Sequence, residues 1–112
     1  MPSIAVVIPT HNRTTPLVRA VRSVLSQTLR PAELIVVDDG STPPAGGCLA
    51  DFPEVRVIVN PRRMGAASSR NRGVQAASSE LIAFLDSDDY WADIKLEAQH
   101  AVFVERPDVD LV

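Results

Sequence analysis

The chain is short of lysine, cysteine and long apolar runs, and each shortage removes a class of protein. Lys95 is the only lysine among 112 residues; the remaining basic side chains are arginine. Acidic residues outnumber basic ones 14 to 11, a formal net charge of −3, so the chain lacks the positive field of a general nucleic-acid binder. The single cysteine, Cys48, excludes an internal disulfide framework and a Cys-cluster zinc site. It reads as an inert buried or loop thiol. No run approaches the ~20 apolar residues of a membrane span, so no membrane segment is expected in these residues. The N-terminus has no charged stretch followed by a long apolar one, so no signal peptide is expected. The expected setting is cytoplasmic, at the cytoplasmic face of the membrane if a longer parent is attached there.

What is present is a soluble composition, 46% hydrophobic and 22% charged, and enough length for one domain over residues 1–112. Short apolar runs alternate with helical patterns. "SIAVVIP" (3–9) reads as a strand buried on both faces. Thr14 or Thr15 can cap a following helix, with Pro16 in its first turn and Leu17, Val18, Val21, Val24 and Leu25 as its apolar stripe. "ELIVVDDGS" (33–41) is a second strand entering a turn, and 41–52 is a loop with a short helix. "VRVIVN" (55–60) is a third strand. "GAASSRNRGVQAAS" (65–78) has the small residues of a tightly packed helix, with Gly73 inside it. "ELIAFLD" (80–86) is a fourth, buried strand; 93–107 is an amphipathic helix stopped by Pro107, and 109–112 begins a fifth strand. The alternation predicts an α/β fold: an α/β/α sandwich with a mostly parallel, Rossmann-like doubly wound sheet. The chain closes on an apolar strand pattern, so it is expected to be the first part of a longer protein. An exposed sheet edge would then favour self-association.

Ligands of open parallel sheets bind beyond the carboxyl ends of the strands. Pro9, Thr10, His11, Asn12 and Arg13 follow the first strand; Asp38, Asp39, Gly40 and Ser41 follow the second. Asn60, Pro61, Arg62 and Arg63 follow the third, and Asp86, Ser87, Asp88 and Asp89 the fourth. Five carboxylates therefore gather along one edge with no lysine among them. Oxygen-rich clusters of this kind suit magnesium or manganese, which take one or two carboxylates plus substrate phosphates. In an extended segment residues i and i+2 share a face, so Asp86 and Asp88 are expected to face one ligand. Asp88 or Asp89 can also cap a helix beginning near Tyr90. An isolated DxD triplet recurs by chance.

The four segments "VVIPTHNR", "ELIVVDDGSTP", "GAASSRNRGV" and "LIAFLDSDDYW", in this order, resemble the family 2 glycosyltransferases, enzymes of the GT-A fold that use nucleotide-sugar donors. The resemblance covers essentially the whole chain. It implies that Pro9, Thr10, His11, Asn12 and Arg13 belong to the loop that touches the nucleoside, with His11 where the family often has an aromatic residue flanking the base. It implies that Asp39 accepts a hydrogen bond from the base, usually uracil, while Asp38 supports the turn beside it. Arg70 and Asn71 match the family's "ARN" segment, except that Ser69 stands where alanine is usual. Arg70 is expected to pair with Asp86 or Asp38 or to approach the donor, and Arg62 and Arg63 are also within reach. Asp86, Ser87 and Asp88 match the DxD motif: Asp88 as the metal ligand, Asp86 for the ribose or a second metal contact. A divalent cation, manganese or magnesium, would bridge to the donor diphosphate. The acceptor (saccharide, lipid or protein), the sugar and the pathway are left open, since the family builds cell-surface polysaccharides, lipid-linked sugars and more. The general base that the resemblance implies lies beyond residue 112, because Asp108 and Asp110 do not match it, so transfer by this chain alone is not expected. Inversion is the implied outcome in the longer protein.

Three other readings compete. "LIVVDDGS" looks like the acidic pair of a phospho-acceptor receiver domain, but a strand and helix precede it and Lys95 lies in a helical pattern. A metal-dependent nucleotidyltransferase shares the strand-tip arrangement, yet commonly has a Gly-rich basic loop after its first strand, and "PTHNRTTP" has no glycine. A non-catalytic nucleotide-sugar-binding module remains open.

Overall fold

The computed structural model describes residues 3–89 and Leu96. The elements are β1 (Ile4–Thr10), α1 (Thr15–Leu25), β2 (Glu33–Asp38), a short 3-10 helix (Ala45–Leu49), β3 (Val55–Val59), α2 (Ala66–Ala76) and β4 (Leu81–Phe84). The helix expected over 93–107 and the strand over 109–112 lie outside the described residues, apart from Leu96, which is helical and buried.

All four strands are parallel, in the order β3-β2-β1-β4. Thr10 stands opposite Asp38, and Asp38 opposite Val59. The carboxyl ends of β1, β2 and β3 are therefore level, and the polar residues after them emerge side by side. Every residue of β1 is buried, as its uninterrupted apolar run requires: helices cover both faces of the sheet. Ile4, Val6 and Ile8 point to one face, where they meet Leu17, Ala20, Val21 and Val24 of α1. Those four positions fall on one stripe of the helix. Val7 points to the other face with Ile35 and Val37, packed against Ala76 and Ala77 at the end of α2.

The start of α1 is where the sequence places it, with Pro16 in the first turn. Thr14 is the N-cap, but its side chain makes no capping bond. It acts through its carbonyl, which accepts the Val18 N–H at 3.0 Å. On α2, Gly73 lies directly over β1. A Cβ built there would overlap Val7 Cγ1 and come within 3.1 Å of Cγ2, so the absence of a side chain sets how closely α2 seats.

The expectation of a buried fourth strand needs correction. β4 is the terminal strand of the described sheet, its first three residues are half-buried, and Phe84 is 45% exposed. Only β1 pairs with it among the described residues, so one flank of the strand lacks a ladder there. Among the described residues no helix is long and apolar enough to cross a membrane.

Candidate active site: a crevice at the carboxyl ends of β1, β2 and β4

The chain runs from β1 outward through β2 to β3, then returns through α2 to β4 on the far side of β1. Strand order reverses at β1, and the crevice of an open α/β sheet forms at such a switch point. A cavity of about 210 Å³ opens there. Pro9, Thr10, His11, Arg13, Asp39, Arg70, Asp86, Ser87 and Asp88 line it, as do Arg63, Gly65, Ala66 and Ser69. The structure thus brings together most of the residues singled out in the sequence. Asn12, Asp38 and Arg62 do not line it.

The two adjacent acids after β2 divide their roles. Asp38 is buried and turned into its own loop: Oδ1 accepts the Ser41 N–H at 3.0 Å and Oδ2 the Ala45 N–H at 2.8 Å. It secures the start of the 3-10 helix. Asp39, 4% exposed, faces the crevice. Its Oδ1 accepts from Asn60 Nδ2 at 2.9 Å and from the Met64 N–H at 2.6 Å, and its Oδ2 from the Gly65 N–H at 2.9 Å. Burial pushes the Asp39 carboxyl up, but the bonds from Met64, Asn60 and Gly65 and the nearby Arg63 guanidinium outweigh it and hold the group below its usual range. A carboxylate has about four acceptor positions. Three are filled by these donors, which leaves one position on Oδ2 for a further donor.

Gly65 makes this possible. Its φ of +92° is left-handed backbone that glycine adopts without strain. In that conformation its N–H turns to Asp39 just ahead of α2, while its carbonyl accepts both the Ser69 N–H and Oγ–H.

The loop after β1 is tied to the loop after β2. His11 Nδ1 lies 2.6 Å from the Asp39 carbonyl oxygen. A carbonyl only accepts, so Nδ1 carries the proton; Nε2 then accepts from Asn12 Nδ2 at 3.1 Å. Asn12 has a left-handed φ of +51°, a conformation asparagine tolerates better than most residues. Its N–H donates to Ser41 Oγ and its Oδ1 accepts the Thr42 N–H. Asn12 is therefore a fastener between loops, and its amide is turned away from the crevice.

Thr10 ends β1 with an unusual feature. The residue is 3% exposed, and its buried Oγ1 has no hydrogen-bond partner among the described residues. A buried hydroxyl left so costs about 1–3 kcal/mol; the residue that carries it lines the crevice.

The acidic tip after β4 departs from the extended geometry expected of it. The Asp89 N–H donates to the Asp86 carbonyl at 3.0 Å, so residues 86–89 close a turn. A turn satisfies backbone groups that the strand ladder no longer serves once β4 ends at Phe84. Asp86, Ser87 and Asp88 still line the crevice together, with Ser87 buried between two exposed acids. Asp86 Oδ1 pairs with Arg70 Nη2 at 3.2 Å, one of the two pairings expected of that arginine. No cluster of three or more His, Cys, Asp or Glu side chains suited to a metal occurs among the described residues. Two hard-oxygen carboxylates at one tip fit a cation that completes its shell with phosphate and water.

Asn60 was not singled out as a site residue from sequence. A lone asparagine after a strand reads as ordinary tip polarity. The signal was its place: it follows β3 as Asp39 follows β2, on the neighbouring strand in level register.

With the crevice described, comparison with known proteins decides the family. Residues 5–112 match the family model for glycosyl transferase family 2. The chain belongs to glycosyl transferase family 2. It is 35% identical over 105 residues to the Escherichia coli enzyme named UDP-Glc:alpha-D-GlcNAc-diphosphoundecaprenol beta-1,3-glucosyltransferase WfgD, covering 92% of this chain and 42% of that one. It is likewise 35% identical over 109 residues to the putative teichuronic acid biosynthesis glycosyltransferase TuaG of Bacillus subtilis, covering 94% and 43%. Among solved structures, S. aureus TarS 1-349 in complex with UDP superposes with a TM-score of 0.86 at 25% identity, over 94% of this chain and 33% of that one. The same TarS form in complex with UDP-GlcNAc gives 0.86 at 26% identity. This family 2 chain therefore has the nucleotide-sugar-binding fold expected of it, with its parallel sheet and helices on both faces. It spans about two fifths of the length of these Escherichia coli and Bacillus subtilis relatives.

Proposed function

We propose that this chain is the donor-binding half of a glycosyltransferase site, taking a nucleoside-diphosphate sugar, UDP-linked, whose sugar passes to an acceptor in the longer protein. The observation that carries the reading is Asp39. Its carboxylate is ionised, held by three donors, and keeps one acceptor position at the crevice. The uracil ring N–H is a donor that such a position receives. Thr10, which precedes His11 at the end of β1, lines the crevice beside it. The His11 ring, fixed by two bonds, forms a wall against which the base can lie. The UDP complex of TarS and the UDP-Glc in the name of the Escherichia coli relative favour uridine over other bases.

At the other end of the crevice Asp88 and Asp86 would hold manganese or magnesium. Bound there with the donor, the cation would offset the charge that develops on the departing diphosphate. Arg70, paired with Asp86, adds fixed positive charge at that end, and Arg13 also lines the crevice. The general base and acceptor contacts belong to the longer protein, so these 112 residues alone are expected to bind donor without transferring it.

Calorimetric titration with UDP, with and without manganese, tests this. Expected is metal-dependent binding that Asp88→Ala abolishes and Asp39→Ala weakens. Equal heats with and without manganese would remove the metal from the proposal, and no UDP binding under either condition would overturn the donor-site reading itself.

A further inference from the structure

A second layer lies behind Asp39. Asn60 is 3% exposed and Ser69 is fully buried. The Asn60 amide donates to Asp39 Oδ1 at 2.9 Å and reaches Ser69 Oγ at 3.0 Å. Its own Oδ1 accepts from Arg72 Nη1, and its backbone N–H donates to the Asp38 carbonyl at 2.9 Å. Ser69 Oγ–H in turn donates to the Gly65 carbonyl at 2.9 Å. Every polar atom of the Asn60 side chain is therefore committed. The chain of bonds runs from the crevice carboxylate through β3 into the first turn of α2. The residue after Ser69, Arg70, meets Asp86 at the opposite end of the crevice.

We propose that Asn60, held by Ser69 and Arg72, is a positioning residue that sets base selectivity by fixing the Asp39 carboxylate, so that its remaining acceptor position faces the crevice. The inference rests on the donor-site reading above. Without the Asn60 amide, Oδ1 keeps only the Met64 N–H and Oδ2 only the Gly65 N–H, both from the one loop before α2, so the carboxylate's orientation rests on that loop alone and turns with it. A rotated carboxylate presents acceptors in several directions and distinguishes bases less sharply. Uracil and cytosine differ at the ring nitrogen the site would read: uracil has an N–H donor there, cytosine an acceptor. Only the uracil form gains from a fixed carboxylate, so the selectivity between them is the quantity Asn60 controls.

The test compares UDP and CDP binding by calorimetry, in manganese, for the unaltered chain, Asn60→Ala and Ser69→Ala. A hydrogen bond to a charged group corresponds to roughly tenfold or more in affinity. Asn60→Ala is expected to weaken UDP about tenfold while leaving the weaker CDP binding nearly unchanged, so the UDP:CDP ratio contracts. Ser69→Ala, a change of one hydroxyl, is expected to contract the ratio in the same direction by a smaller factor and to leave the chain folded. Both variants retaining the full ratio, or losing UDP and CDP in equal proportion, would show a purely structural role and overturn the inference while the donor site stands. An unaltered chain that binds UDP no better than CDP would overturn the inference and the uridine reading with it.

Discussion

Replacing Gly73 by alanine puts two effects of opposite sign in competition. In an exposed helix the change is favourable by about 1 kcal/mol, because alanine gives up less backbone freedom than glycine. Gly73 is buried, however, and faces β1. The added methyl would overlap Val7 Cγ1 and lie 3.1 Å from Cγ2 and 3.3 Å from Cβ. Val7 is fully buried in the central pair of strands, so it has little room to give way. Overpacking of this kind costs about 1–3 kcal/mol. The steric term therefore wins, for a net loss of about 1 kcal/mol and a fall in melting temperature of about 4–8 °C. The consequence reaches the crevice, because Gly73 is one turn beyond Ser69 and Arg70. A helix lifted off Val7 carries both away from Asn60 and Asp86, and UDP affinity should fall with stability. Thermal unfolding followed by circular dichroism measures the first, and the double variant Val7→Ala/Gly73→Ala isolates the cause. Trimming Val7 vacates the space the new methyl needs, so the two costs should fall short of adding by about 1 kcal/mol. A Gly73→Ala chain that melts at or above the unaltered one, or costs that add, would refute the close seating of α2.

Glu33 gives a prediction at the other end of the sheet. Its Oε1 accepts from the backbone N–H and hydroxyl of both Ser78 and Ser79, and these bonds, the Ser79 hydroxyl foremost, hold its carboxyl below the usual range. A lowered folded value means the contribution is complete above the ordinary glutamate pKa and disappears as pH falls through the folded one. Urea unfolding between about pH 5 and pH 3 should therefore show a shallower acid loss for Glu33→Gln than for the unaltered chain; equal slopes would rule out the clamp. The Arg70–Asp86 pair has side chains 38% and 64% exposed, so Arg70→Ala should lower stability by less than about 1 kcal/mol while weakening UDP binding severalfold. A large stability loss with unchanged UDP affinity would show the arginine to be structural.

Much of this architecture was legible because burial writes itself plainly on a parallel sheet. A strand covered on both faces must be apolar along its interior, and β1 over 4–9 and β2 over 34–37 are. The stripe of α1 and the small residues of α2 were readable for the same reason. What escaped depended on partners distant in sequence. The full burial expected of β4 assumed a flanking strand that the described sheet does not supply. The acids after it were assigned by strand periodicity, but the backbone had already entered a turn. The neighbouring Asp38 and Asp39 look equivalent in sequence, yet one is consumed by N–H groups three and seven residues ahead, the other by donors from β3 and the loop before α2. Asn60 acquires meaning only when the order β3-β2 places it beside Asp39.

These separate fates also account for how so many carboxylates share one edge. Acids gathered without partners would repel one another and raise each other's pKa values. Here Asp38 is sealed within its loop, Asp39 is held by three donors, and Asp86 is paired with Arg70. Each charge is balanced locally and by a different element, so the repulsion implied by the sequence is largely discharged before any ligand arrives. Asp88 differs: it lines the crevice, its side chain makes no hydrogen bond among the described residues, and only its backbone carbonyl accepts, from Arg19. A cation entering this tip would find one uncommitted carboxylate and a second that must exchange Arg70 for it. The guanidinium so released lies in the same cavity, where the phosphates of a donor would provide its next partner. Under the proposed reading cation and diphosphate would favour each other's binding, because the arginine that the cation frees from Asp86 would meet the phosphates.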